Sequence, residues 1–144
     1  HQAGSRTIDI ARETYRSAGV EAQVDEFIND MAAAYGWADL VICRAGALTV
    51  AEICAVGLPA IFVPYPAAVD DHQTANARGL VDVDAAIIIQ EAELTPATLA
   101  AVVAQWCANR EQLVERAEAA RSLARNDSLE VITGLCLKLA EAAA

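Results

Sequence analysis

The segment from Cys43 to Pro66, CRAGALTVAEICAVGLPAIFVPYP, decides the fold class of this chain. It follows the apolar run DLVIC and passes through a short turn into a helical pattern from about 50 to 56, which ends at Gly57. The apolar run AIFVPY comes next. Two apolar runs joined by a short helix are typical of a unit with two parallel strands and a crossover helix. The segment therefore predicts part of a parallel sheet.

The same alternation continues on both sides of this segment. Helical patterns precede it at about 8 to 18 and 31 to 38, and between them the alternating segment VEAQVDEF predicts a half-buried strand. A further helix is expected at about 73 to 80, followed by the strand AAIII. Apolar runs without alternation indicate strands that are buried on both faces. We therefore expect an α/β fold, with a Rossmann-like parallel sheet and helices on both faces.

The last third of the chain has a wholly helical pattern. Thr95-Pro96 offers an N-cap and a proline at the first helical position, and Asn126-Asp127-Ser128 offers another cap. We predict a helical C-terminal part from about 95 to 142, within a single partial domain that spans residues 1–144. The opening residues, HQAG, resemble the end of a strand that enters a loop, so the first strand of the sheet is expected to be missing.

Composition excludes several classes of function. The chain has 144 residues, 56% of them hydrophobic, which is enough for the core of one domain. Its formal net charge of −10 repels phosphate backbones, so no nucleic-acid partner is expected. No apolar run approaches the ~20 residues of a membrane span, which predicts a protein that is soluble or at most bound to a membrane surface. The cysteines Cys43, Cys54, Cys107 and Cys136 lie far apart in apolar stretches and are expected to be reduced core residues, as are Trp37 and Trp106.

No metal site or cofactor is predicted. The only histidines are His1 and His72, which leaves no convincing set of ligands. The triplet Asp82-Val83-Asp84 matches the DxD pattern with which some sugar transferases hold a metal-bound diphosphate. It comes before a predicted strand, and so at the opposite edge of the sheet from the ligand-binding loops. A surface loop is the favoured interpretation.

The turn before the helix at 50 to 56 is a candidate phosphate site. Parallel sheets bind ligands beyond the carboxyl ends of their strands, where loops lead into helix N-termini. Free N–H groups and the helix dipole suit an anion there. The residues in this position are Gly46, Ala47, Leu48 and Thr49. Arg44 precedes them; it can pair with a phosphate, or it can form a solvated edge or a structural ion pair.

Glu52 separates two interpretations of this turn. Thr49-Val50-Ala51-Glu52 matches the capping box, in which the glutamate bonds the N–H of its own helix cap. A carboxylate in this position can instead accept two hydrogen bonds from a ribose diol, which would indicate a nucleotide ligand. Spacing alone favours the cap.

A second polar cluster, DDHQTANA, follows the next predicted strand and is expected at the same edge of the sheet. Gln73 and Asn76 are three residues apart, on one helical face, and His72 precedes them. Amides both donate and accept hydrogen bonds, which suits sugar hydroxyls and an acetamido group. Asp70 or Asp71 is expected to cap the helix.

Taken in order, HQAG, FINDMAAAYGWADLVICRAGALTVAE, GLPAIFVPYP and DDHQTANA closely resemble the C-terminal half of the MurG-type transferases of bacterial cell-wall synthesis. The similarity is densest from His1 to Asn76 and weak beyond Glu91. These enzymes transfer N-acetylglucosamine from UDP-N-acetylglucosamine (UDP-GlcNAc) to undecaprenyl-pyrophosphoryl-MurNAc-pentapeptide (lipid I), which gives lipid II for peptidoglycan. The resemblance implies one half of a GT-B glycosyltransferase, the half that holds the donor.

The resemblance also implies roles for individual residues. Phe27 and Ile28 would lie at the uracil, with the Ile28 backbone at the base edge. Glu52 would bind the ribose hydroxyls. The diphosphate would lie at Ala47, Leu48 and Thr49, and the N-acetylglucosamine at His72, Gln73 and Asn76. The chain departs from many family members at Ala45, where they carry serine, and at Ala67, where they carry histidine, and the second departure puts acid-base help from that loop in doubt.

The resemblance also implies that this chain contains no catalytic residue. The general base, the lipid I site and the membrane contact would belong to the N-terminal half, and the whole enzyme would be peripheral on the cytoplasmic face of the inner membrane. Two alternatives stay open from sequence alone. The chain can be the nucleotide-sugar-binding subunit of a split two-chain N-acetylglucosaminyltransferase, or a non-catalytic nucleotide-binding or interaction module.

Overall fold

The computed structural model of the protein describes residues 1–67 and 71–142. Contacts divide the chain into two compact units, His1–Trp37 and Ala38–Ala144. The single domain expected across residues 1–144 stays a prediction. None of the helices in the described residues is both long enough and apolar enough to cross a membrane.

The first unit contains two helices, α1 (Ile8–Ser17) and α2 (Met31–Trp37), both at the predicted places. The strand predicted from VEAQVDEF is wrong. Within the described residues this segment forms a single parallel bridge, between Gln2 and Asp25. A half-buried strand would bury alternate residues, but Val24 is 7% exposed and Val20 is 51% exposed, so the apolar face is too short to pair further.

The second unit contains the parallel sheet. Its strands are β1 (Val41–Cys43), β2 (Ala60–Phe62) and β3 (Ala86–Ile88), in the order β1-β2-β3. Both neighbouring pairs are parallel, with Ile42 opposite Ile61 and Ile61 opposite Ile87. The helices of this unit are α3 (Ala47–Val56), α4 (His72–Asp82), α5 (Pro96–Cys107), α6 (Arg110–Ser122) and α7 (Ser128–Ala142), with a short 3₁₀ helix at Glu91–Glu93. The predicted α/β class with a parallel sheet is confirmed.

The central strand β2 is buried on both faces. Ile61 packs in a cluster with Trp106 of α5 and Leu113 of α6. Side chains alternate along a strand, so Ala60 and Phe62 point to the opposite face, and both are fully buried there. This arrangement explains why AIFV shows no polar alternation in the sequence.

The C-terminal end of α3 is held by α6. Gly57 has a φ of +77°, and its N–H bonds the Ile53 carbonyl. A Cβ atom at Gly57 would lie 3.0 Å from the carbonyl oxygen of Ala117 and 3.1 Å from the Cβ of Arg121. Arg121 Nη1 donates to the carbonyl oxygen of Ala55 at 2.8 Å, which satisfies one of the last carbonyls of α3. Glycine is therefore required at position 57 because the backbone has a positive φ and because α6 leaves no room for a Cβ atom.

The helical C-terminal part contains one boundary that the sequence interpretation missed. Thr95 caps α5 as predicted, accepting a hydrogen bond from the N–H of Thr98, and Pro96 is the first helical residue. Asn109 begins a separate helix, α6, because its side chain accepts from the N–H groups of Glu111 and Gln112. An asparagine in a polar stretch is a standard N-cap signal, so this break was readable from the sequence.

Two predictions about core residues are partly wrong. Trp106 is buried, but Trp37 is 86% exposed. Cys54 is buried and Cys43 half-buried, whereas Cys107 and Cys136 are exposed. Alanine-rich helices lack the polar residues that mark a solvent-facing side, so the sequence pattern did not identify the exposed face. All four cysteines are free thiols.

The thiols should differ in reactivity. Burial raises the pKa of Cys43 to about 11, and burial also raises the pKa of Cys54. At pH 8 a thiol with that pKa is thiolate in only about one molecule in a thousand, and the thiolate is the reactive form. We expect iodoacetamide to alkylate Cys107 and Cys136 at least about tenfold faster than Cys43 and Cys54. Peptide mass spectrometry over time measures these rates; equal rates at Cys43 and Cys107 in the native protein would contradict the burial, and labelling in urea is the control.

Candidate functional site

The loop between β1 and α3 places the start of a helix at the carboxyl edge of the sheet. Gly46 is the N-cap of α3, in an extended conformation, and as a glycine it has no side chain with which to cap the helix. The first intrahelical bond runs from the Val50 N–H to the Gly46 carbonyl, at 2.9 Å. The N–H groups of the preceding helical residues have no partner within the helix; these residues are Ala47, Leu48 and Thr49. The predicted anion site therefore has the expected backbone geometry.

The capping-box interpretation of this turn is wrong. The helix begins at Ala47, so Thr49 is the third helical residue and not the N-cap. A capping box needs its glutamate at that third position, whereas Glu52 lies in the second turn of α3. The pattern Thr-x-x-Glu was misleading because the true N-cap residue is Gly46, and a glycine has no side chain by which the sequence could reveal the cap. Glu52 is exposed at the surface of α3.

The second polar cluster begins α4. Asp71 is the N-cap residue, with a φ of +50°, and its carboxylate accepts from the Thr74 hydroxyl at 2.7 Å. Asp70, the other candidate cap, lies outside the described residues. His72, the first residue of α4, is exposed. The cluster therefore lies at a helix start, as predicted, but the Asp71 side chain makes no hydrogen bond to the backbone N–H groups of α4, so the capping role predicted for Asp71 is wrong.

Asn76 joins the two loops into one site. Its Nδ2 donates to the carbonyl oxygen of Ala45, at 3.0 Å, in the loop that leads into α3. Ala45 is fully buried, so this hydrogen bond fixes backbone directly before the N-terminus of α3. The structure therefore brings the α3 start and the α4 start together, and it gives Asn76 a role in holding one against the other.

Gln73 is held by the loop that follows β2. Its Oε1 accepts a hydrogen bond from the N–H of Tyr65, at 2.9 Å. In this orientation the Nε2 end of the amide is the end that would donate to a ligand. Tyr65 itself is about half exposed.

The contacts of Arg44 favour the structural interpretation of this residue. Its Nη1 donates to the carbonyl oxygens of Val63 and Pro64, at 3.1 and 2.9 Å. Its Nη2 forms an ion pair with Glu91, at 2.5 Å. The guanidinium carbon also lies 5.6 Å from the centre of the Tyr65 ring. Arg44 thus connects segments of the protein, and its role as a direct substrate contact stays a prediction.

The residues assigned to uracil lie in the first unit. The Ile28 N–H donates to Oε1 of Gln2, at 3.0 Å, so a base that used this N–H would have to replace the Gln2 amide. The Phe27 side chain is 65% exposed. The uracil role of Phe27 and Ile28 stays a prediction.

The DxD triplet lies away from these loops, at the end of α4 and before β3. Asp84 forms an ion pair with Arg116 of α6, at 2.6 Å. The guanidinium of Arg116 also lies 4.6 Å from the ring centre of Trp106. These contacts give Asp84 a structural role. In the part of the chain that the structure describes, no group of three or more metal-ligating side chains comes together.

A parallel sheet with a helix start at a glycine N-cap and a second polar loop at its carboxyl edge defines the class of Rossmann-like ligand-binding domains. The sequence profile of the glycosyltransferase family 28 C-terminal domain matches residues 1–132, and the chain belongs to this family.

Curated relatives and a solved structure agree with this assignment. The chain is 51% identical over 140 residues to the UDP-N-acetylglucosamine–N-acetylmuramyl-(pentapeptide) pyrophosphoryl-undecaprenol N-acetylglucosamine transferase of Marinobacter nauticus. It is 53% identical over 140 residues to the transferase of the same name from Aeromonas hydrophila. Both alignments cover 97% of this chain and 39% of the relative.

The crystal structure of Acinetobacter baumannii MurG matches with a TM-score of 0.88 and 44% identity, over 96% of this chain and 40% of that one. The resemblance to MurG-type transferases and the assignment to one half of a GT-B fold are thereby confirmed. The chain spans about two fifths of the length of the relatives that it matches.

Proposed function

We propose that this chain is the donor-binding part of an N-acetylglucosaminyltransferase that converts lipid I to lipid II. The observation that carries the proposal is the paired site at the carboxyl edge of the sheet. The Asn76 to Ala45 hydrogen bond sets the α4 start against the α3 start. Membership of the family supports UDP-GlcNAc as the ligand of this site, because the named relatives are N-acetylglucosamine transferases.

In this proposal the diphosphate of UDP-GlcNAc binds the N–H groups of Ala47, Leu48 and Thr49. The positive end of the α3 dipole adds a favourable charge there. Glu52 accepts hydrogen bonds from the ribose diol. The N-acetylglucosamine lies at α4, where Gln73 donates through Nε2 and His72 is accessible, while Asn76 and Arg44 hold the backbone of the site.

The proposed chemistry is an inverting transfer. The 4-hydroxyl of the acceptor MurNAc attacks the anomeric carbon of N-acetylglucosamine, and UDP leaves with its diphosphate gaining negative charge. A helix N-terminus directed at the diphosphate stabilises this growing charge more than it stabilises the bound donor, so it accelerates the reaction. The general base, the lipid I site and contact with the cytoplasmic face of the inner membrane are assigned to the remainder of the transferase.

Calorimetry together with a chimera tests this function. We expect the chain to bind UDP-GlcNAc and UDP, and to bind GDP at least about tenfold more weakly, a difference of about 1.4 kcal/mol. In the chimera, this chain replaces the matching 39% of the Aeromonas hydrophila relative, and we expect transfer of labelled N-acetylglucosamine to lipid I. A folded chain that binds neither uridine nucleotide, with a folded chimera that transfers no sugar, would contradict the proposal.

A further inference from the structure

A single side chain, Arg44, connects the segments that follow all three strands. It comes directly after β1. Its Nη1 holds the carbonyls of Val63 and Pro64, which follow β2, and its Nη2 holds the carboxylate of Glu91, which follows β3. A planar guanidinium can serve carbonyls on one nitrogen and a carboxylate on the other, which an ammonium cannot do in the same geometry.

The ion pair between Arg44 and Glu91 is partly open to solvent. The two side chains are 48% and 44% exposed. Pairs with this exposure contribute little to the stability of a fold. The pair nevertheless occupies Nη2 and leaves Nη1 for the two carbonyls, so it favours this orientation of the guanidinium. The pair therefore acts locally, by helping to hold the backbone at Val63 and Pro64 in place.

The backbone that it places is the segment Val63–Tyr65, which also positions Gln73. The Tyr65 N–H donates to Gln73 Oε1, and the Tyr65 ring lies against the Arg44 guanidinium. We infer that Glu91 is a positioning residue for recognition of the donor sugar: through Arg44 it fixes Val63–Tyr65, and that segment orients the Gln73 amide. This inference rests on the proposed function, and it adds a residue beyond β3 to the site.

Removal of the Glu91 side chain should weaken binding of the sugar part of the donor and leave binding of the nucleotide part nearly unchanged. We expect Glu91→Ala to weaken binding of UDP-GlcNAc by about threefold to tenfold, the effect of one misplaced hydrogen bond, and to change the affinity for UDP by less than about twofold. Glu91→Gln keeps an acceptor for Nη2 and should give an intermediate loss. Glu93→Ala removes the same charge from the same 3₁₀ helix and should leave both affinities unchanged.

Two further measurements separate positioning from a general loss of structure. UDP carries about one more negative charge than UDP-GlcNAc near neutral pH, so salt changes the ratio of the two affinities in every variant. The quantity that reports on the Arg44–Glu91 pair is therefore the ratio in the wild type divided by the ratio in Glu91→Ala, which should approach one as salt rises to about 0.5 M, where half-exposed pairs are screened. Without any ligand, hydrogen exchange at the Tyr65 amide should be faster in Glu91→Ala than in Glu93→Ala, because its acceptor is no longer held.

The outcomes distinguish this inference from the function on which it rests. If the wild type binds both nucleotides and Glu91→Ala leaves the affinity ratio and Tyr65 exchange unchanged, the positioning role is overturned and the donor site stands. If Glu91→Ala weakens the binding of UDP as much as the binding of UDP-GlcNAc, the positioning role is also overturned. If the folded wild type binds neither nucleotide and the folded chimera transfers no sugar, the proposed function is overturned, and the inference with it.

Discussion

Replacing Glu52 by alanine should lower the affinity for UDP-GlcNAc by about 30-fold or more. Two hydrogen bonds from a ribose diol to a charged carboxylate are together worth about 2 to 3 kcal/mol, which corresponds to this range. Stability should change by less than about 1 kcal/mol, because Glu52 is exposed on α3 and a contact made by an exposed charged side chain contributes little to the stability of a fold. Alanine is also a strong helix former. Binding and folding effects are therefore separable at this position.

A thermodynamic cycle with 2′-deoxy-UDP assigns the contact to the ribose. Calorimetry should show that wild-type protein binds UDP more tightly than 2′-deoxy-UDP, and that Glu52→Ala binds the two nearly equally. Glu118→Ala is a matched control, because Glu118 is an exposed glutamate on α6. It should bind both nucleotides as the wild type does. Equal affinity of Glu52→Ala and wild type for UDP would contradict the proposal that Glu52 binds the ribose hydroxyls.

Replacing Gly57 by alanine should destabilise the fold by about 2 to 3 kcal/mol. An L-residue with a φ of +77° costs about 1 to 2 kcal/mol by itself. The added Cβ would also lie 3.0 Å from backbone oxygen and 3.1 Å from the Cβ of Arg121, so α3 and α6 would have to move apart. Since the other end of α3 forms the proposed diphosphate site, affinity for UDP should fall as well.

Gly19 provides the control for conformational strain alone. It has a φ of +65°, and a Cβ there would meet none of the described atoms within 4 Å. Gly19→Ala should therefore cost only about 1 kcal/mol. Urea denaturation followed by circular dichroism measures both variants, with the unfolding slope showing whether the transition is comparable. A cost for Gly57→Ala no greater than that for Gly19→Ala would show that contact with α6 does not constrain the end of α3.

The elements that the sequence predicted well are those with strong local signals. Gly19 and Gly57 ended their helices where expected, Thr95 capped α5, and the apolar run containing Ile61 became the buried central strand. The strand at VEAQVDEF failed because alternation over a short segment does not reveal whether a pairing partner is present. The prediction that Trp37 is a core residue was wrong for a related reason, since its alanine neighbours fit either side of a helix and do not mark the exposed one.

At the site, the sequence placed the starts of α3 and α4 at one edge of the sheet but did not predict the hydrogen bonds that join them. The start of α3 could not be located from a pattern, because Gly46 caps it without a side-chain signal. The links from Asn76 to Ala45 and from Arg44 to Glu91 join residues that are distant in sequence, so no spacing rule predicts them. These links show that Asn76 and Arg44 hold the backbone of the loops, and their contacts with a ligand stay predictions.

The most direct test of the account is the backbone amide spectrum of the isotope-labelled chain during titration with UDP. The central claim is that the N-terminus of α3 binds the diphosphate. If this claim holds, UDP causes the largest chemical-shift changes at the amides of Ala47, Leu48 and Thr49, and uridine, which lacks the diphosphate, changes them much less. Shifts centred on Asp84 and Arg116, with the α3 amides unmoved, would contradict it.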